Sequence, residues 1–477
     1  MTARMSVGLR ARAWLAPLLL LACAVVSGCV ATGPAGEART PKNIIILYGD
    51  GAAATQWEFG RYTSRVLRNK SFAITDVIFK EGNVGLLTVH SADSFVTDSA
   101  AAATALSTGH KTNNGMAGVT PDGKAVKTVM EAAKASGKRI GLITTAAVHD
   151  ASPTAFAVHA KSRRDGESII DQYLALEPDV LMGGGRDFFL PKGKGGGKRT
   201  DGRDMLAAFA AKGYQVVQDP AALRTATGPR LLALFSDQDL ALEIDRDPKE
   251  EPSTAEMTAA AIRILSANSQ NGFVLFVENE NIDSAGHRND AAALVQALWA
   301  IDDAAQVALD FRRRAPGDTL VLVTGDHETG GLSVTYAQKD LSSLSSANRL
   351  YPVDSHLQMV SRIRISLAKA VELIGRKPTA EALDKVVAEN FPGFRLDDDL
   401  RTAFLKGQPL ERNAASYLPQ PTLARMISRQ TGIYWGTTGH TTEPVVVGAV
   451  GPGAPLFRGY MENTDFAKIL HKLIEGR

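Results

Sequence analysis

The residues best suited to chemistry begin with a serine at the expected start of a helix. Ser99 follows Asp98 and precedes an uninterrupted run of small residues, 100–105. An Asp or Ser at this position caps the first helical turn, and the free N–H groups and positive dipole end there favour a bound phosphate. The same pattern is typical of any helix start, so the segment alone does not establish Ser99 as a nucleophile.

Three further segments carry acidic and imidazole side chains beside apolar runs. Asp283 and His287 are four residues apart, so one helical turn places them on the same side. Asp326 and His327 are adjacent on a glycine-bounded turn, and His440 stands among small residues. A single histidine is more often a core or surface residue. Their joint occurrence instead indicates a binuclear zinc site, in which imidazole nitrogens and carboxylate oxygens converge from several strand ends.

The elements that must position these residues alternate along the chain. Apolar runs predict strands over 43–48, 139–144, 272–277, 319–324 and 445–450, and helical patterns lie between them at 125–135, 255–266 and 291–312. This alternation predicts an α/β fold with a doubly wound, mostly parallel central sheet and helices on both faces. Asp50, Glu278 and Asp326 come at strand carboxyl ends, where open α/β sheets bind ligands.

Two stretches interrupt the alternation. The glycine- and lysine-rich segment 183–202 lacks the spacing of a phosphate-binding loop, and we interpret it as a flexible surface loop. Segment 338–429 is polar and helical in pattern with no strong strand, which predicts a mainly helical insertion over the active-site face. The expected organisation is a catalytic core over 42–337, this insertion, and the remainder of the core over 430–477.

Composition is that of an ordinary globular protein. The 477 residues carry 53 basic and 51 acidic side chains, a net charge of +2, with no long basic stretch among aromatics, so no nucleic-acid-binding module is expected.

The N-terminus has the pattern of an export signal. Basic residues precede an apolar stretch over 13–26 that is shorter than the ~20 residues of a membrane span. The following residues, 26–29, resemble a bacterial lipobox, which implies a signal peptide over 1–28, a lipid on Cys29 and a tether over 29–41. Lipid on Cys29 would leave the mature chain without a disulfide and anchor it at a membrane in the periplasm or at the outer membrane. The alternative is an uncleaved membrane helix.

Together these segments resemble the alkaline phosphatases, with matches from residue 43 to the last predicted strand near residue 450. The matching segments, in the order of that family, are 48–51, 97–101, 150–153, 277–287, 324–327 and 438–441. The resemblance implies a metal-dependent hydrolase of small phosphate monoesters. It also implies a possible homodimer.

Carried over residue by residue, the resemblance implies two Zn²⁺ and one Mg²⁺. The implied ligands are Asp283, His287 and His440 for one zinc, Asp50, Asp326, His327 and Ser99 for the other, and Asp50, Glu278 and Ser152 for magnesium. Hard oxygen donors suit Mg²⁺, and imidazole-rich pockets suit Zn²⁺.

The family's reaction then assigns roles to two residues. Ser99 attacks phosphorus in line and forms a phosphoserine, which water hydrolyses. Arg163 falls where the family grips the phosphate, and a guanidinium can bind two phosphate oxygens at once.

The chain departs from the family pattern next to the site. Ser284 stands where some members have Lys or His, so a contact to phosphate is changed or lost. Asp150 occupies a place held by Asp or His, and we expect it to favour magnesium through bound water, although a shift of one residue would substitute His149. Glu280 and the other histidines, at 90, 110, 159, 356 and 471, are expected to be structural, at the surface or behind the site.

Other functions remain as alternatives. The nearest is a phosphodiesterase or another phosphoryl-transfer member of the same superfamily, although diesterases commonly have a threonine nucleophile. A sulfatase would need a Cys/Ser-x-Pro-x-Arg setting that Ser99 lacks. A lipid-anchored phosphate-binding or adhesion protein would keep the fold without turnover.

Overall fold

A ten-stranded sheet runs through the described part of this protein. The computed structural model describes residues 40–267, 269–338, 348–407 and 419–476. The predicted signal peptide, Cys29 and nearly all of the tether lie outside these ranges.

The strands lie at intervals along the whole described chain. In order they are β1 (Asn43–Gly49), β2 (Asn83–Leu87), β3 (Arg139–Ala147), β4 (Val180–Gly184), β5 (Gln215–Val217), β6 (Leu231–Leu234), β7 (Phe273–Asn279), β8 (Thr319–Thr324), β9 (Glu328–Thr329), β10 (Leu332–Val334), β11 (Ala337–Gln338), β12 (Arg349–Leu350), β13 (Ile433–Trp435), β14 (His440–Thr441), β15 (Val445–Val450) and β16 (Gly459–Met461). The large sheet has the order β16-β2-β15-β8-β1-β7-β3-β4-β6-β5. Within it β15 runs antiparallel to both neighbours, and the other recorded pairings are parallel.

The helices connect these strands and form the insertion. They are α1 (Ala54–Arg68), α2 (Ser99–Thr108), α3 (Val129–Ala135), α4 (Ala151–Ala157), α5 (Gly166–Leu176), α6 (Met205–Ala211), α7 (Pro220–Thr225), α8 (Thr254–Ser266), α9 (Asn281–His287), α10 (Ala291–Arg314), α11 (Asp354–Val360), α12 (Leu367–Ile374), α13 (Ala380–Asn390), α14 (Asp398–Lys406), α15 (Pro419–Thr431) and α16 (Asn463–Glu475). Short 3₁₀ turns lie at Arg186–Phe189 and Ala454–Leu456, and a π-helical turn lies at Ile74–Phe79.

The sheet separates two hydrophobic cores, because successive side chains of a strand point to opposite faces. In β1, Ile45 and Leu47 face one cluster, which α8 and α10 cover, whereas Ile44 and Ile46 face the other, which α2, α3, α4 and α16 cover. The predicted α/β class, with helices on both faces of a mostly parallel sheet, is confirmed.

Helix starts follow local capping. The carboxylate of Asp98 accepts a hydrogen bond from Ala101 N at 2.9 Å and so begins α2, which ends at Thr108 and is followed by Gly109 with φ +77°. Thr128 and Glu131 form a reciprocal capping box. For this reason α3 begins at residue 129, not at the predicted 125.

The glycine-rich segment differs from its prediction as a flexible surface loop. Gly183 and Gly184 belong to β4 and are buried, and a Cβ on Gly184 would lie 1.8 Å from the Gln238 carbonyl oxygen. Arg199 is also buried, with its guanidinium paired to Asp171 at 3.0 Å and Asp201 at 2.6 Å. The prediction was wrong for these residues because glycine here permits close backbone approach, whereas the stretches 192–196 and 200–202 are exposed.

The described part of the insertion is mainly helical, as expected, and contains α11–α14 and most of α15. Its apolar residues, such as Leu367, Leu383 and Leu400, belong to the same hydrophobic cluster as α8 and α10. The insertion therefore shares the core of the sheet on that face.

Among the described residues, α10 is the one helix long and apolar enough to cross a membrane. Its most apolar window is 72% buried inside the protein. It packs against α8 and α1, as a core helix does.

Candidate metal centre and nucleophile

The acidic side chains of the site meet because β1, β7 and β8 are neighbouring parallel strands. Tyr48 of β1 is in register with Glu278 of β7 and with Thr324 of β8. Asp50 follows β1 and Asp326 follows β8, so their carboxylates share one edge of the sheet with Glu278. All three carboxylates are 1% exposed.

Two short elements add imidazoles to this edge. In α9, His287 Nε2 lies 3.1 Å from Asp283 Oδ2, one helical turn away. His440 arrives because β14 pairs antiparallel with β9. Its Nε2 lies 3.2 Å from His287 Nε2 and 3.6 Å from Asp283 Oδ1.

The donor atoms form two groups that could each hold a metal ion. Asp283, His327 and His440 form one, and Asp50, Asp326 and His327 form the other; within each, the ligand atoms lie within 4.8 Å of one another. His327 belongs to both groups, and in the first it stands where the predicted set for one zinc has His287. His287 lies beside that group, with its Nε2 3.1 Å from Asp283 Oδ2 and 3.2 Å from His440 Nε2. The His327 ring stacks on that of His440, with the centroids 3.6 Å apart.

Each of these imidazoles turns its Nδ1 away from the donor groups. The partners of Nδ1 are the Thr438 carbonyl at 2.6 Å for His287, the Thr97 carbonyl at 2.8 Å for His440 and the Thr329 hydroxyl at 3.2 Å for His327. A carbonyl accepts only from Nδ1–H, and the Thr329 hydroxyl donates to Asp283 Oδ1 and so accepts from His327. In every case the Nε2 lone pair is left for a metal, the arrangement that fixes metal-binding histidines in proteins.

Ser99 is the first residue of α2 and is 4% exposed. Its Oγ lies 3.2 Å from His327 Nε2, beside both groups of donors. The first N–H groups of a helix have no partner within it, so a phosphoryl group at Ser99 would meet donors from the backbone.

The third predicted ligand set is also assembled. Ser152 Oγ donates to Asp50 Oδ2 at 3.4 Å, and Thr144 donates to Glu278 Oε2. In the described chain, Asp50 Oδ1, Glu278 Oε1 and Asp326 Oδ2 are buried without a hydrogen-bond donor. Buried carboxylate oxygens without donors are costly, and a bound cation would satisfy them.

Arg163 lines a cavity that Asp98, the residue before Ser99, also lines. Its Nη2 lies 2.9 Å from Asp150 Oδ1 and its Nη1 lies 3.4 Å from Asp98 Oδ2, so two carboxylates orient the guanidinium. The cavity measures about 700 Å³, and Arg163 and Phe188 are among its lining residues.

In the absence of metal, burial shifts the pKa values of the carboxyl and imidazole groups in the site. It raises the pKa of Glu278 to about 8 and that of Asp326 to about 7, and Asp283 raises the latter further by repulsion. Burial and the Asp326 charge hold the pKa of Asp50 well above its ordinary value. Burial opposes ionisation of Asp283 also, but the hydrogen bond and charge of His287 lower its pKa overall. Burial and His440 lower the pKa of His327. The folded protein therefore favours protons or cations on most of these carboxylates.

Asp150 and His149, the two alternatives for one position beside the site, face different groups in the structure. Asp150 faces Arg163, whereas the His149 ring packs on Phe188 with centroids 4.7 Å apart, and burial lowers the pKa of His149. Glu280 accepts a hydrogen bond from Ser284 at 2.7 Å, and burial holds its pKa well above the ordinary value.

Sequence reasoning missed the residues that support the ligands. Thr329 links Asp283 to His327 through one hydroxyl. Glu328 bonds Gln56 and Thr441, which are distant from it in sequence. Both stand next to predicted ligands, but only the fold reveals their partners.

Comparisons with known proteins agree with this geometry. The family model described as alkaline phosphatase matches residues 41–475. Alkaline phosphatase 4 of Bacillus subtilis is 31% identical over 91% of this chain and 89% of its own length. The repressible alkaline phosphatase of Saccharomyces cerevisiae is 32% identical over 91% and 81%, respectively. Among solved structures, that of the Thermus thermophilus alkaline phosphatase has a TM-score of 0.81 at 31% identity and covers 94% of this chain and 96% of its own.

Proposed function

Because this chain belongs to the alkaline phosphatase family and is a hydrolase of phosphate monoesters, we propose that it acts through a phosphoserine at Ser99 and depends on bound metal ions. The observation that carries the proposal is the position of Ser99. Its Oγ lies at a helix start, 3.2 Å from Nε2 of His327, the residue that both donor groups share.

The donor set fits two Zn²⁺ and one Mg²⁺. Asp283, His287 and His440 would hold one zinc ion, Asp50, Asp326, His327 and Ser99 the second, and Asp50, Glu278 and Ser152 the magnesium ion. The three buried oxygens without donors and the available Nε2 atoms support this assignment. Bound zinc would lower the pKa of an oxygen that it holds and neutralise charge on the leaving group.

The chain's own residues then account for the transfer. Ser99 gives its hydroxyl proton to solvent, and its Oγ attacks phosphorus as the bond from phosphorus to the alcohol oxygen breaks; the departing oxygen takes a proton from solvent and leaves as the alcohol. Water next attacks the phosphoserine, the bond from phosphorus to Oγ breaks, one proton of that water returns to Oγ, and inorganic phosphate is released. Arg163 binds two of the phosphoryl oxygens throughout, in the orientation that Asp98 and Asp150 give it.

The test compares p-nitrophenyl phosphate with bis(p-nitrophenyl) phosphate across pH, before and after chelation. Strong monoester turnover at alkaline pH would support the proposal if chelation of zinc abolishes it and addition of zinc plus magnesium restores it. Preference for the diester would move the function to another branch of the superfamily. A folded, zinc-loaded protein without turnover on either ester would favour the phosphate-binding alternative.

We also propose that the mature chain is exported and carries lipid on Cys29, which would hold it at a membrane. The support is the sequence of 1–29 alone. Cys29→Ser should release the protein from the membrane fraction with its phosphatase activity intact. Continued membrane association of that variant would favour an uncleaved helix.

A further inference from the structure

Glu328 is a buried carboxylate to which none of the roles above applies. It is 1% exposed, and both of its oxygens accept two hydrogen bonds. Oε1 accepts from Gln56 Nε2 at 2.6 Å and from Leu332 N at 3.1 Å. Oε2 accepts from Gly331 N at 3.0 Å and from Thr441 Oγ1 at 2.8 Å. A group whose every partner is a donor is an ionised carboxylate.

These donors come from three different segments. Gln56 lies in the first turn of α1, and residues 331–332 form the turn after β9 and the start of β10. Thr441 directly follows His440 in β14 and is in register with Glu328. One side chain thus joins the loop that carries His327 to the strand that carries His440.

The position of this carboxylate matters because the two imidazoles come from segments more than 100 residues apart. Their rings stack with an interplanar angle of 16°. The pairing of β9 with β14 comprises two residue pairs, one of which is Glu328 with Thr441. So short a ladder does little alone to fix the separation of two side chains. Four hydrogen bonds to a charged, buried group supply the missing constraint.

We propose that Glu328 is a positioning residue that holds His327 and His440 in the relative position that the two proposed zinc sites require. The inference rests on the metal centre proposed above and adds a determinant of metal affinity to it. Glu328 touches neither the substrate nor the reacting atoms. It acts through the backbone turn after β9 and through Thr441.

The test is the zinc affinity of Glu328→Gln. The amide has nearly the same size, but its NH₂ group faces two of the four donors and cannot accept from them. We expect zinc affinity to fall by about 10-fold or more, the range observed when groups that orient metal ligands are removed. Zinc transfer to a chromogenic chelator measures the affinity without using turnover. Saturating zinc should restore most of kcat.

A matched control is Asp302→Asn. Asp302 is also a buried carboxylate; it lies in α10, and its Oδ1 accepts a hydrogen bond from Ile74 N at 2.9 Å. This substitution should change the midpoint of thermal unfolding without changing zinc affinity. Thr441→Val is the second variant, because it removes one hydrogen bond of Glu328 on the His440 side. It should weaken zinc binding by less than Glu328→Gln does. If Glu328→Gln does not fold, the zinc affinity of Thr441→Val tests the inference instead.

Unchanged zinc affinity in Glu328→Gln, or in Thr441→Val if the former does not fold, would overturn the inference. In that case the unfolding midpoints of metal-free and zinc-loaded protein would fall equally. Wild-type protein that binds no zinc would overturn the proposed metal centre as well. If the wild-type protein binds zinc and the variant binds it with equal affinity, only the proposed role of Glu328 is excluded.

Discussion

Three buried carboxylate oxygens, on Asp50, Glu278 and Asp326, lack hydrogen-bond donors among the described residues. Other buried carboxylates differ among themselves, since Glu328 has four donors whereas Asp187 Oδ1 and Asp302 Oδ2 lack one. What distinguishes the site is that three such oxygens lie at one edge of the sheet, which is an electrostatic cost that a cation or a proton relieves. The cost is the physical basis of the proposed metal affinity.

Removal of the Ser99 hydroxyl should abolish turnover and leave the metal centre assembled. Ser99→Ala should lower kcat for p-nitrophenyl phosphate by at least about 10²-fold, the lower end of the loss when a participating group is removed. Metal analysis should find nearly normal zinc, because His327, Asp50 and Asp326 remain. Full activity in this variant would exclude Ser99 as the nucleophile.

The guanidinium of Arg163 should contribute mainly to phosphate binding. Arg163→Ala should lower kcat/KM by about 10- to 100-fold, since a charge-assisted bidentate contact is worth a few kcal/mol. Arg163→Lys should recover only part of this loss. Arg164→Ala is the matched control, because Arg164 is exposed beside it. Equal losses in the two alanine variants would contradict a specific role for Arg163.

For individual residues, the sequence predicted the types of the ligands but not the residues that hold the ligands in place. Asp50, Asp326 and His327 are recognisable because each follows an apolar strand. Thr329 and Glu328 are not, because their partners come from α9, α1 and β14. No local pattern records a contact between residues 113 or 272 positions apart.

At the level of elements, the site depends on how closely the strand ends approach. Gly325 lies between β8 and Asp326, and a Cβ there would be 2.1 Å from the Ala52 carbonyl oxygen and 3.0 Å from that of Gly49. The turn after β1 and the turn after β8 are therefore in direct backbone contact. Any side chain at residue 325 would separate the two carboxylates that flank these turns.

Substitution of this glycine should damage both folding and metal binding. Gly325→Ala should destabilise the protein by about 1–3 kcal/mol or more, as overpacking does, and lower its zinc content. Gly436→Ala is the control near the same site, because the nearest atom to its added Cβ lies 3.6 Å away. Denaturant unfolding and metal analysis measure both effects. Equal behaviour of the two variants would show that the close approach at Gly325 is not required.

The elements that sequence patterns predicted best are those buried on both faces. β1, β7 and β8 are continuous apolar runs, and their predicted bounds differ from the observed ones by two residues at most. The edge and short strands gave weaker patterns. Val84 and Leu86 of β2 are 41% and 40% exposed, and β5 has only three residues, so neither forms a buried run.

For the whole molecule, protonation and metal binding compete for the same buried carboxylates. The pKa values of Glu278, about 8, and Asp326, about 7, lie above the ordinary ~4 of these groups in an unfolded chain. The folded metal-free protein therefore binds these protons more tightly than the unfolded chain does. These groups stabilise the fold at low pH, and this contribution is lost as pH rises from about 4 through about 8.

The stabilisation by zinc should consequently increase over the pH range in which the metal-free protein becomes less stable. Between about pH 5 and about pH 9, the loss of this contribution should lower the unfolding midpoint of the metal-free protein. Zinc affinity should rise over the same interval, because the ligands no longer have to lose protons. The stabilisation by saturating zinc should therefore grow with pH. Calorimetry with and without chelator measures both trends, and a zinc effect that declines from pH 6 to pH 8 would contradict the assignment.

The pairing of β10 with β13 has a consequence for how such a chain can change. Leu332 lies opposite Trp435, so the polypeptide leaves the core and returns to it across a gap of about 5 Å between Cα atoms. The roughly one hundred residues between them form a closed excursion, and the entropy of closing such an excursion grows only slowly with its length. Its length can therefore change at little cost in chain closure, but any replacement has to refill the positions of Leu367, Leu383 and Leu400 in the core that it shares with α8 and α10. The architecture thus joins a fixed chemical frame to a segment that can vary in length only while it keeps its apolar contacts with that frame.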